Sequence, residues 1–541
     1  MIWLDRVALE LLAPLALWVL ASGLDDLYLD YLWFRGIRKQ RRAARNPLPD
    51  TPESPIAILV PCWREAEVIG SMLERLIHTV DYDNYAIWVG VYPNDPECQS
   101  VIRERMELDS RIHMAVSRRP GPTTKADCLN QTLAAIWEYE LRTGELYEIF
   151  MLHDAEDLAP AGELKQANRV CRWYDMAQFP VFPLPTPLWE PTHGVYCDEF
   201  AESHSRDLPA RAYSGGFVPS AGVGTALRRD AVDQCRIFGG RKPFDPGSLT
   251  EDYVLGLRLE AMGFSQTFVA DGAATREYFP RTFYTAVRQR TRWVIGNCLQ
   301  AWERFGWPEK QRYWLWRDRK GLVNHPLALV ANALFLYGVY GWAREETGGA
   351  EWALGAALAD SPALTGLLWL NAAFLVWRQT VRGYCVGRVY GWAQGLTVPL
   401  RAPWANCINA AATLRALAVF LRAKALRKPL MWAKTQHVFP EDEAFTLLEW
   451  VEPARVDPLL ASIIPPEVGA GVALIAVELE GDELVVAGPD NPPAQTLRKL
   501  AVHAGRKVRF QRVTWRNFGA LREVGRPAER LKGQEMSAGR P

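Results

Sequence analysis

The chain lacks a net charge. Its 541 residues carry 62 Lys plus Arg against 62 Asp plus Glu, so no global field draws it toward nucleic acid. It also lacks cysteines at metal-ligand or disulfide spacing. The nine cysteines (Cys62, Cys98, Cys128, Cys171, Cys197, Cys235, Cys298, Cys385 and Cys407) are widely scattered. That argues against a zinc knuckle or a disulfide scaffold and fits a reducing compartment. No basic n-region precedes the first apolar run, which argues against a cleaved signal peptide. A P-loop is missing too, because Ser220-Ala-Gly-Val-Gly-Thr225 has no Gly-Lys-Ser/Thr ending.

Apolar residues are plentiful, at 49% of the chain, and Trp occurs 22 times. The length calls for two or three domains. Residues 7–22 are nearly all apolar, and a helix from about residue 5 to 24 can just span a bilayer. A basic block, Arg35 to Arg45, follows. By the positive-inside rule it puts the N-terminus outside and residue 35 onward on the cytoplasmic side. Residues 1–45 are therefore expected to be an anchor and its basic flank. The alternative is an amphipathic surface helix, since Glu10, Asp25 and Asp26 interrupt the run.

Residues 52–297 alternate strand and helix signals. Ile56-Ala-Ile-Leu-Val60, Ala86 to Tyr92, Ile112 to Val116 and Glu148 to Leu152 read as buried strands. Glu65 to Thr79 and Asp127 to Tyr139 read as helices. The alternation predicts an α/β domain built on a mostly parallel sheet, covered on both faces. Ligands bind beyond the C-terminal ends of such strands. Asp95 and Asp154 sit at two of those ends.

The acids and one basic-aromatic string carry chemistry. Asp154 and Glu156 lie two residues apart, as paired ligands on an extended turn can, with Asp157 beside them. Carboxylates can hold a divalent cation that stabilises charge on a departing diphosphate; they can equally form a solvated turn that caps the next helix. Asp252 opens an apolar helical stretch and can act as a general base or merely support a cap formed by Thr250. In Gln289-Arg290-Thr291-Arg292-Trp293, the two arginines supply charge and Trp293 a flat face; an interfacial helix can use the same residues. Gly222 and Gly224 suit a close backbone approach to a sugar or a plain tight turn. The Pro-rich segment 179–196 reads as a rigid crossover, with Trp189 and Tyr196 as possible acceptor contacts.

In this order, the motifs resemble the processive, membrane-bound branch of the family 2 glycosyltransferases, the group that includes cellulose and hyaluronan synthases. A narrower resemblance within that branch, to a bacterial inner-membrane protein, covers roughly residues 20 to 440. It rests on Ser22-Gly-Leu-Asp-Asp26, Pro61-Cys-Trp-Arg-Glu65, Tyr92-Pro-Asn-Asp95, Leu152-His-Asp-Ala-Glu-Asp157, Phe179 to Pro185, Asp198 to His204, Pro219 to Thr225 and Pro429 to His437. The resemblance implies a GT-A-type domain that takes a nucleotide-sugar donor, UDP-linked, with Mg²⁺ or Mn²⁺. Glu65 and Asp95 would line the nucleobase and ribose pocket, and Lys125 and Asn130 would contact the nucleotide. Asp154, Glu156 and Asp157 would hold the metal; Glu156 stands where many members have Asp. Asp252 would be the general base of a single inverting displacement. Gln289, Arg292 and Trp293 would lie near the donor pyrophosphate and the acceptor end.

Beyond the catalytic part, residues 298–320 are expected to form an interfacial helix and 321–428 the membrane helices. Leu322 to Tyr340 and Trp352 to Trp377 read as spans, and 389–421 as a hairpin of two bent helices, with re-entrant or interfacial packing as the alternative. About five spans result. Residues 445–518 read as a small α+β module resembling part of the N-terminal domain of secretion and pilus ATPases, some of which bind cyclic di-GMP. Residues 521–541 read as disordered. The expected function is extension of an exopolysaccharide at a bacterial inner membrane, in contact with lipids, glycan and an outer-membrane export or receptor partner. The alternatives are transfer of one sugar to a lipid carrier, or a non-enzymatic envelope assembly role.

Overall fold

A computed structural model describes residues 2–43, 51–237, 242–270, 273–348, 352–427, 430, 451–465, 474–488, 492, 494–513 and 515–524. The Pro429–His437 motif falls almost wholly outside the described residues, as do the Pro489–Pro492 turn up to 491, the end of the basic flank and the tail from 525.

The α/β domain is built on a seven-stranded sheet. Its strands are β1 (Ile56–Pro61), β2 (Tyr85–Val91), β3 (Ile112–Val116), β4 (Ile149–Leu152), β5 (Met176–Gln178), β7 (Thr225–Arg228) and β8 (Gln266–Phe268), in the order β3-β2-β1-β4-β7-β5-β8. β6 (Val181–Pro183) pairs separately with β9 (Thr275–Glu277). Strands β1 to β4 are mutually parallel, as the alternation predicts, while β7 runs antiparallel to both neighbours. β1, β2 and β4 are apolar along almost their whole length because both faces are covered, while the edge strand β3 is only partly buried. In β1, Ile56, Ile58 and Val60 pack toward α2 (Ala66–Thr79) and α3 (Pro96–Leu108). Ala57 and Leu59 face α4 (Lys125–Thr143). Thr124 caps α4 by accepting a bond from the Asp127 N–H, and Gly144 ends it at a positive φ of 82°.

The sequence shows no signal for the three- and four-residue strands β5 to β9. They are too short for any periodicity, and pairing with β4 and with each other defines them.

The membrane part departs from expectation. Helix α1 (Ile2–Ala43) does not stop near residue 24. Asp25, Asp26 and Asp30 stay inside it because each has a cation. Asp25 pairs with Arg317 and Lys320, Asp26 with Arg378 and Arg317, and Asp30 with Arg206. Residues 298–320 do not form one interfacial helix. A π-helical stretch, Val294–Gln300, leads into a short helix, Ala301–Phe305. Gly306, at a φ of 59°, and Pro308 then break the chain before Arg312–Arg319, where Trp314 and Leu315 are buried.

Three helices among the described residues are long and apolar enough to cross a membrane, or four if Ala353–Ala359 and Pro362–Tyr390, bent by 99°, count as one span. That is fewer than the expected five. The 389–421 hairpin is instead a short helix, Trp392–Leu396, and one long helix, Val398–Ala425, which passes through Pro403. Arg401 does not break it, because its guanidinium makes a two-pronged bond to the buried Asp198 carboxylate.

The C-terminal module is α+β, as expected. β10 (Ile475–Glu480), β11 (Glu483–Gly488) and β12 (Lys507–Arg512) form a sheet with helices Ala494–Ala504 and Trp515–Val524. Val477, Val485, Phe518 and Leu521 make up part of its core.

Candidate active site

A cavity of about 570 Å³ opens beyond the C-terminal ends of β1, β2 and β4, where α/β sheets bind their ligands. β1 delivers Trp63 and Glu65, β2 Tyr92, and the first turn of α4 Lys125. Asp154 and Glu156 come from the end of β4. The helix Glu251–Ala261, α9 here, contributes Glu251 and Asp252 from its first turn. Glu277 closes β9. The helix Phe283–Trp293, α10 here, presents Gln289, Arg292 and Trp293.

The acid cluster is not quite the expected one. Carboxylate oxygens of Asp154, Glu156 and Glu277 lie within 4.8 Å of one another. Burial, reinforced by the charges of Asp157, Glu156 and Asp154, pushes the Glu277 carboxyl well up. Closely set carboxylates that resist ionising together are what a divalent cation relieves, so these residues fit a metal of the Mg²⁺ or Mn²⁺ type. Asp157 is turned away from the cluster. It accepts the Asp154 N–H at 2.9 Å and faces His153 at 3.0 Å. Glu277 was missed because it lies 121 residues beyond Glu156 in a three-residue strand; no local motif announces it. Lys125 Nζ stands 2.5 Å from Asp154 and 3.3 Å from the Gly222 carbonyl.

Asp252 faces the same cavity. Its Oδ1 accepts its neighbour's Tyr253 N–H at 2.7 Å. Burial raises its pKa, against the pull of Lys125. Burial and the charge of Asp252 together push Glu251 up to about 7. Thr250 makes no side-chain cap, so α9 gains no capping bond from the residue expected to supply one. Gly222 is essential to this geometry. It sits at a φ of 81°, and a Cβ there would lie 2.8 Å from Asp252 Oδ2 and 3.2 Å from Lys125 Nζ.

The basic-aromatic string divides by face. Gln289 Oε1 and Arg292 Nε are buried at the cavity without a protein partner, as groups reserved for a ligand are. Trp293 stands edge-on to Tyr196 and Phe279. Arg290 points the other way and is held by Glu199 and Asn409. Asn297, one turn further on, also lines the cavity with a buried, unpartnered Oδ1; no sequence motif singles it out.

Some expected residues stand elsewhere. Asp95 caps α3 and accepts the Arg64 N–H at 2.6 Å, and it does not line the cavity. Asn130 spends both ends of its amide on the Phe244 backbone, at 2.7 and 3.1 Å. Trp189 is 81% exposed and Tyr196 fully buried, and neither lines the cavity.

The fold and this cavity define a class. Residues 52–296 match the family model described as glycosyltransferase like family 2. The α/β sheet is of the GT-A type, and the chain is a nucleotide-sugar-dependent glycosyltransferase with candidate membrane helices on either side of its catalytic domain. More particularly, it is 34% identical over 587 residues to Bacteriophage adsorption protein B of Escherichia coli (strain K12), covering 92% of this chain and 79% of that one. Bacteriophage N4 adsorption protein B of Escherichia coli O157:H7 matches to the same extent. The chain belongs to the family of these adsorption protein B relatives, and its residues 52–296 carry the glycosyltransferase family 2-like domain. Among solved structures, a mannosyltransferase from Pyrobaculum calidifontis in complex with GDP-Man and Mn²⁺ is similar at a TM-score of 0.43 and 17% identity, over 75% of this chain and 99% of that one.

Proposed function

We propose that the protein transfers sugar from a UDP-linked donor, with inversion, to the growing end of an exopolysaccharide, and that Asp252 is the general base. The observation that carries this reading is one shared cavity. It holds the Asp154–Glu156–Glu277 cluster, Asp252, and the ligand-ready edge of Gln289, Arg292 and Trp293. Glu65 and Lys125 bind the nucleotide portion from the sheet side. Gln289 and Arg292 bind the diphosphate, and Trp293 stacks against the acceptor sugar. Asp252 takes the proton from the acceptor hydroxyl as it attacks the anomeric carbon opposite the diphosphate. A single displacement of that kind inverts the anomeric centre and needs no covalent intermediate. Held by Asp154, Glu156 and Glu277, a divalent cation would supply positive charge to the departing diphosphate.

The catalytic domain lies on the cytoplasmic side of a bacterial inner membrane and the N-terminus in the periplasm. The basic block Arg35 to Arg45, at the C-terminal end of α1, supports that orientation.

The test uses the full chain in detergent or nanodiscs, supplied with nucleotide sugars one at a time and Mn²⁺ or Mg²⁺. Nucleotide release should fall by about 10²–10⁴-fold in Asp252→Asn. Release from the variant at the wild-type rate removes Asp252 as base. Long products support extension of a polymer; a single transferred sugar on lipid assigns the protein to carrier glycosylation instead.

A further inference from the structure

His153 belongs to no part of the mechanism above, yet it is buried at the centre of the acid cluster's supports. It follows β4 directly, and its backbone N–H is held by the Leu59 carbonyl of β1. The two ring nitrogens face two different acids. Nδ1 lies 3.0 Å from Asp157 Oδ2, and Nε2 lies 3.0 Å from Glu163 Oε2.

Each acid holds one arm of the cluster. The same Asp157 oxygen accepts the Asp154 N–H at 2.9 Å, so it sets the turn that presents Asp154 and Glu156. The other oxygen of Glu163 accepts the Thr275 hydroxyl at 2.9 Å. Thr275 is fully buried and opens β9, two residues before Glu277. Between them, the backbones of Leu158 and Arg276 exchange two hydrogen bonds, at 2.9 and 3.1 Å. The two arms are remote in sequence. Their spacing is held by this backbone pair and, through side chains, by a second path: Asp154 turn, Asp157, His153, Glu163, Thr275, β9.

We propose that His153 is a positioning residue that fixes the distance between the Asp154–Glu156 turn and Glu277, and with it the affinity of the site for a divalent cation. The inference rests on the metal-binding reading of that cluster. Outer-shell partners of ligating carboxylates act in this way, by orienting the ligands. Asp157, in sequence the third acid of the motif, thereby acts behind the ligands. Glu163 and Thr275 perform the matching task for the other arm.

The probe is Mn²⁺ alone, titrated into the full-length protein without donor sugar, with free Mn²⁺ followed by electron paramagnetic resonance. Two variants attack the path at separate points. His153→Gln can bridge only one of the two acids. Thr275→Val removes the hydroxyl with little change of shape, and Thr275→Ser restores it. Binding is read well below each variant's unfolding temperature, so that loss of fold is not mistaken for loss of spacing. His153→Gln and Thr275→Val should each weaken Mn²⁺ binding by about 10–100-fold, with Thr275→Ser near wild type. Should His153→Gln not fold, the Thr275 pair still decides. Wild-type affinity in the variants overturns the positioning role while leaving the metal site intact. A wild-type protein that binds no Mn²⁺ and turns over donor without it overturns the metal-binding reading, and this inference with it.

Discussion

At the scale of single residues, catalysis and stability oppose each other at Asp252. A buried carboxylate with a raised pKa favours its protonated form. As a base it must be ionised, so kcat/KM should fall as pH drops through a pKa above the ordinary carboxylate range, and recover above it. A pH–rate profile whose acid limb lies in the ordinary carboxylate range, near 4, would contradict that assignment. The same desolvation means that Asp252→Asn should unfold at a temperature no lower than wild type at neutral pH, because it removes an ionised group from a partly buried position on the cavity wall. Gly222 shows the tightness of the site. Gly222→Ala places a methyl 2.8 Å from Asp252 Oδ2 in a backbone conformation that alanine resists. A stability loss of about 1–2 kcal/mol is expected from the backbone alone. Turnover should fall much further than that loss accounts for, and the two readouts are thermal unfolding and nucleotide release.

At the scale of elements, the helix Val398–Ala425 is the informative one. Its composition is that of a span, yet its bonds run along the catalytic domain over most of its length. Arg401 binds Asp198, Asn409 binds Glu199 and Arg290, the Ala412 carbonyl accepts from Thr291, and Lys424 pairs with Glu303. From 401 to 424 a helix rises about 35 Å. Those bonds predict a helix that lies along the membrane surface with both of its basic ends on the same side, although Asn406 and Thr413 also bond to Asn332 and His325 of the apolar helix Gly321–Glu346. Cysteines introduced at Leu400 and Leu426, both well exposed, should react with an impermeant maleimide from the same face; labelling from opposite faces would make the helix a true span. The Arg401–Asp198 pair is the anchor to remove. Arg401→Ala leaves a buried carboxylate unpaired and should cost about 3–5 kcal/mol, whereas replacing both partners with apolar residues should recover much of it. Unfolding of the solubilised protein in denaturant reads the difference.

At the scale of the whole molecule, a charge network joins the membrane part to the catalytic part. Asp25, Asp26 and Asp30 of α1 meet Arg317, Lys320, Arg378 and Arg206 from three other segments of the chain. Glu202 enters the network through Arg206 and Arg382. Although burial opposes it, the surrounding guanidiniums, Arg382, Arg378 and Arg206, hold Glu202 down to about 2. Removing one acid should loosen the whole junction. Asp26→Ala is expected to expose the α1 junction to limited proteolysis while the isolated motifs of the cavity stay intact; unchanged protease resistance would show that apolar packing alone holds α1.

Sequence by itself determined the sheet and the ordered motifs that line its cavity. Strands β1, β2 and β4 were legible because a strand buried on both faces must be a continuous apolar run, and the edge strand β3 because it is still mostly apolar; Asp154, Asp252, Gln289, Arg292 and Trp293 were legible because each sits where such a sheet ends or where a distinctive string occurs. Tertiary structure alone decided what depends on contacts between remote segments. It brought Glu277 to Asp154 and turned Asp157 toward His153. It spent Asn130 on a loop backbone and faced Arg290 away from the cavity. It also carried α1 through three aspartates that composition reads as a break. In each case a partner more than a hundred residues away, or a turn that reverses a side chain, sets the environment of a polar or charged group. Local composition contains neither.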